Sequence, residues 1–83
     1  MKTFFDNNYG VSIINNEFTN GVELAVLLGN ESMYMIIDEQ VYSGLDTTDV
    51  DSIISEVSSR KALSDIEVEK SIERYKKELQ EIE

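Results

Sequence analysis

No cysteine, histidine, proline or tryptophan occurs among the 83 residues, and no lysine or arginine stands between Thr3 and Ser59. Each absence excludes something. Without Cys there is neither a disulfide framework nor a thiolate metal site. Without His or Cys the usual bases and nucleophiles near neutral pH are missing, so proton transfer would fall to carboxylates whose pKa is raised by burial. The longest apolar run, Leu24 to Leu28, is too short to span a bilayer. The apolar stretch near the N-terminus is too short for a secretory signal. These absences predict a soluble, non-enzymatic protein without a cofactor, in the cytoplasm.

The base-free stretch carries ten acids: Asp6, Glu17, Glu23, Glu31, Asp38, Glu39, Asp46, Asp49, Asp51 and Glu56. Residues 60–83 hold six bases against seven acids, so the net charge of -10 belongs to the first two-thirds of the chain. Such a surface repels nucleic acid and attracts basic surfaces. Direct nucleic-acid binding is excluded on this ground, because contacts with the phosphate backbone dominate such affinity.

A hydrophobic content of 41% is too high for a disordered acidic tail, and the length suits one small domain with a modest core. Tyr9–Asn15 alternates with the period of two expected of a strand. Turn chemistry follows, ending in Asn20-Gly21. Val22–Leu28 puts Val22, Leu24, Val26 and Leu28 on one face, and Met33–Ile37 is a third strand that stops at Asp38-Glu39. The short connections predict an antiparallel meander.

The period then changes. Val50, Ile53, Ile54 and Val57 form one helical stripe, and Thr48-Asp-Val-Asp51 has capping-box spacing. A second helix opens at Ser64-Asp-Ile-Glu67, a full capping box with Leu63 and Val68 as a hydrophobic staple. Its stripe is Val68, Ile72, Tyr75, Leu79 and Ile82. The expectation is an α+β single small domain of βββαα order: a three-stranded antiparallel sheet over residues 1–45, a first helix over 46–62 and a second over 63–83.

Candidate sites are few. Asp38-Glu39 is the one adjacent acidic pair of the predicted sheet, but neighbouring strand positions point to opposite faces, which disfavours catalysis. Asp46, Asp49 and Asp51 lack the glycine and terminal glutamate of a calcium loop, and helix capping accounts for Asp49 and Asp51 without a metal, so none is expected. The carboxylates Glu17, Glu23, Glu31, Asp38, Glu39, Asp46, Asp49 and Asp51 are the candidate partner-binding residues, with Phe18 or Tyr42 as apolar anchors. The stripe Val68, Ile72, Tyr75, Leu79 and Ile82 either closes the core or pairs with a second chain as a homodimer seam.

Asn8-Tyr-Gly-Val-Ser-Ile-Ile14, Glu23-Leu-Ala-Val-Leu27 and Val41-Tyr-Ser-Gly-Leu-Asp46 before a capped helix resemble small uncharacterised proteins of bacteriophages and prophages. The resemblance spans about residues 5–60. Size, acidity and sheet-then-helix order are also similar to phage anti-CRISPR and other anti-defence proteins. The resemblance implies an inhibitor in a bacterial cytoplasm that occludes the basic, nucleic-acid-binding surface of a host protein. It carries over no catalytic residue. The alternative is a homo-oligomeric accessory protein assembled through the C-terminal helix, and a weaker third is an acidic binder of small cations or metabolites.

Overall fold

The computed structural model describes residues 1–15 and 21–81. Four strands and two helices follow one another: β1 (Lys2–Phe4), β2 (Tyr9–Asn15), β3 (Val22–Asn30), β4 (Met33–Leu45), α1 (Thr47–Ser58) and α2 (Asp65–Glu81). The sheet is an antiparallel meander in the order β1-β2-β3-β4. The α+β class and the meander agree with the sequence reading, but the sheet has four strands rather than three. The added strand, β1, pairs Lys2 with Ser12 and Phe4 with Gly10. Three residues are too few to display a period. What holds them is the end of the chain, where the terminal ammonium donates to the Ile13 carbonyl and the Ile13 amide to the Met1 carbonyl, both at 2.8 Å.

The other departure is at β4, which does not stop at Asp38-Glu39. Leu27 pairs with Ile36 and Ala25 with Val41, so residues 37–40 together face Val26 alone, and the strand resumes beyond this bulge. A second irregularity, at Ser43-Gly44, has Gly44 at φ 66.

Register divides the sheet into two faces. Tyr9, Val11 and Ile13 pair with Leu28, Val26 and Leu24. Val11, Leu24 and Val26 are buried with Val57 of α1, and Ile13, Ile37, Leu45, Val50, Ile53 and Ile54 pack around them. The predicted α1 stripe is therefore the one that meets the sheet. Further along the same face, α2 lies over the β3–β4 hairpin, where Ser71, Arg74, Tyr75 and Glu78 share a depression with Leu28, Met35 and Ile37. Both helices cover one side of the sheet.

The turn between β1 and β2 positions the helices. Buried Asn7 donates from its Nδ2 to the carbonyls of Val57 and Arg60, at 2.9 and 3.1 Å. Its own carbonyl accepts from the Leu63 amide. Asn8, at φ 63, donates to the Leu63 carbonyl at 2.7 Å and to the Asp65 carboxylate at 3.1 Å. Two adjacent asparagines thus tie the segment between the helices to the sheet.

Candidate functional site

The start of α1 is set by its cap, which is two residues earlier than its sequence spacing implied. Asp46 has an extended backbone and accepts from the Asp49 amide at 2.8 Å, while Asp49 accepts from the Asp46 amide at 3.2 Å. The box is Asp46–Asp49, and Thr48 lies inside the first turn. Leu45 is the last residue of β4, so the residue after it must be the cap, and Asp outranks Thr there. At α2, Ser64 accepts from the Glu67 amide as expected.

Of the acids proposed as partner-binding, Glu31, Asp38, Glu39, Asp46, Asp49 and Asp51 are exposed and Glu23 is half-buried. Glu17 and Phe18 lie outside the described residues. Glu31 tops the β3–β4 turn, where the Asn30 side chain accepts from the amides of Ser32 and Met33. Asp38 and Glu39 occupy the β4 bulge, and Asp46, Asp49 and Asp51 begin α1 at the far end of β4. Glu23 stands on the face away from the helices, opposite Ile14. Apart from Glu23, the fold strings these groups along the β4 edge over about 30 Å, the length of nine strand residues. They form a rim, not a cluster.

Cations approach this rim unevenly. Arg74 of α2 lines the same depression as Asp38 and Glu39, and Lys2 lines the one beside Glu31 and Tyr34. The depression along α1 is lined by Thr48, Asp51, Ser52, Ser55, Glu56 and Ser59, with no cation. Among the described residues the one ion pair is Glu56–Arg60, at 2.6 Å. Arg60 also donates to Gln40 at 2.8 Å and sits 5.2 Å from the Tyr9 ring centroid. The hydrogen bond from Arg60 holds the Glu56 carboxyl below the usual carboxylate range, and the same bond raises Arg60 further. This clamp fastens the end of α1 to β2 and β4. The sequence reading missed it, although Glu56 and Arg60 stand at i, i+4.

No three carboxylates among the described residues converge to hold a metal ion, and no described helix is long and apolar enough to cross a membrane. The stripe of α2 divides. Val68 and Ile72 are buried within the chain, Tyr75 is half-buried and Leu79 is exposed, while Ile82 lies outside the described residues. Its first half therefore packs on the sheet and is not free to pair with a second chain. Comparison with known proteins finds no matching family model, curated protein or solved structure.

Proposed function

We propose that this chain is a non-enzymatic inhibitor that occludes a basic, nucleic-acid-binding surface of a host enzyme, using the carboxylates along β4 and α1. The observation that carries this reading is the base-free stretch together with its exposure: eight of its nine described acids are exposed, and one of the nine, Glu56, is ion-paired. Unpaired carboxylates keep a long-range field, which speeds encounter with a cationic surface and orients it. The phage-type, anti-CRISPR-like form of the proposal rests on the hairpin resemblance and on size and layout.

Asp51 with Asp38 and Glu39 is the set to reverse. All three are exposed, and none belongs to the Asp46–Asp49 box. The chain should capture a basic protein from a bacterial lysate at low salt and release it at high salt, because exposed charges are screened over about 8 Å at physiological ionic strength. The Asp38→Lys, Glu39→Lys, Asp51→Lys variant should fail to capture it. Capture that survives both high salt and charge reversal would overturn the reading.

A further inference from the structure

β4 is the last strand of the sheet and, among the described residues, pairs on one side only, with β3. Backbone bonding in β3 fixes which groups β4 leaves open. Gly29 donates its amide to the Asn8 carbonyl at 2.8 Å, so Gly29 faces β2. Polar backbone groups alternate sides along a strand, so Leu27 and Ala25 face β2 as well. Their β4 partners are Tyr34 opposite Gly29, Ile36 opposite Leu27 and Val41 opposite Ala25. These three therefore turn their N–H and C=O groups outward. Their side chains are 39%, 44% and 56% exposed, all on the sheet face away from the helices. Strand edges are commonly blunted by Lys or Pro, and β4 has neither. What interrupts it is the bulge at residues 37–40, which carries Asp38 and Glu39.

We infer that an extended basic segment of the partner adds to this edge as a fifth strand. This mode of binding presupposes that the acidic rim is the partner-binding surface, and it specifies how the partner is held there. An open edge accepts strands of many sequences, and charge selects among them. Glu31 precedes β4, Asp38 and Glu39 interrupt it and Asp46 follows it, while β4 itself holds no Lys or Arg. The nearby bases are Lys2, beside Glu31, and Arg74, beside Asp38 and Glu39, whereas Arg60 is ion-paired to Glu56. Four acids against two bases leave the edge negative. A second copy of β4 would bring the same four acids to it and be repelled, whereas a strand bearing Lys or Arg is drawn in. Backbone pairing then supplies hydrogen bonds, while Tyr34, Ile36 and Val41 offer apolar contact to alternate side chains of the added strand.

The probe is a peptide of about ten residues alternating Lys with Val, titrated into the full chain at low salt. Binding is expected, weakening as salt rises. With the peptide at about ten times its Kd, hydrogen exchange at the amides of Tyr34 and Ile36 should slow about tenfold. The same peptide N-methylated at its central amides keeps its charge but cannot donate, and should bind about tenfold or more weakly. Ile36→Pro removes one outward donor, leaves every carboxylate in place and should weaken binding about fivefold. Ile36→Ala loses the same side chain but keeps the amide, and should bind more tightly than Ile36→Pro. If Ile36→Pro unfolds, the N-methylated peptide on the unaltered chain still decides. Equal binding of the two peptides, lost at high salt, overturns the added strand while leaving the acidic rim as the docking surface. So does binding without slowed exchange at Tyr34 and Ile36, or no binding at low salt. Binding that discriminates the two peptides yet survives the Asp38→Lys, Glu39→Lys, Asp51→Lys changes overturns the basic occupant, and the rim reading with it.

Discussion

Asn7 does more than its size suggests. Its side-chain amide satisfies two carbonyls at the end of α1, and its oxygen accepts from the Tyr9 amide at 3.2 Å. A buried acceptor that loses its donor costs about 1–3 kcal/mol. Asn7→Ala should therefore destabilise the chain by about 2 kcal/mol in urea unfolding. Asn7→Asp keeps the shape but replaces the donor with an acceptor, and should cost as much or more. If Asn7→Asp were near neutral, donation to Val57 and Arg60 would not be what secures the helices. Nothing in the sequence around Asn7-Asn8 marks this role, because turn residues commonly bond their own neighbours, whereas these reach residues 50 to 57 positions away.

At the scale of elements, the two helices differ in how their sequences express them. The α1 stripe was legible because Val50, Ile53, Ile54 and Val57 all meet the sheet. Its first turn was misplaced because Asp46 and Thr48 both head a box-like spacing, and the end of β4 decides between them. Asp46→Ala should cost about 1 kcal/mol, and Thr48→Ala should stay within about 0.5 kcal/mol. Thermal melts of the two variants check this, and equal losses would return the cap to Thr48. For α2 the spacing fits Val68, Ile72 and Tyr75, yet Leu79 is 51% exposed. A helix of 17 residues runs on past the hairpin it covers. β4 was read only to its bulge, since residues 37–40 break the alternation that identifies a strand.

For the molecule as a whole, like charge opposes compactness. Lys and Arg of α2 lie on the helix-covered side, and Arg74 lines the depression beside Asp38 and Glu39, but the stretch along α1 has no such neighbour. Screening should therefore stabilise the fold. Added sodium chloride should raise the melting temperature, with each kcal/mol worth about 4–8 °C at this length. A melting temperature that stays flat or falls would mean that the bases of α2 already neutralise the rim.

Composition and periodicity alone determined the acidic character, the α+β class, most of β2 and β3, and the stripe by which α1 packs. These depend on which residues are present and on spacing within one element, and both are local properties. Tertiary structure decided the fourth strand, the continuation of β4 past its bulge, the cap of α1 and the division of the α2 stripe. It also decided that the carboxylates form a rim about 30 Å long while the apolar surface gathers on the open face. Each of these turns on which distant segment lies opposite, and cross-strand register is set by pairing, which no single segment encodes.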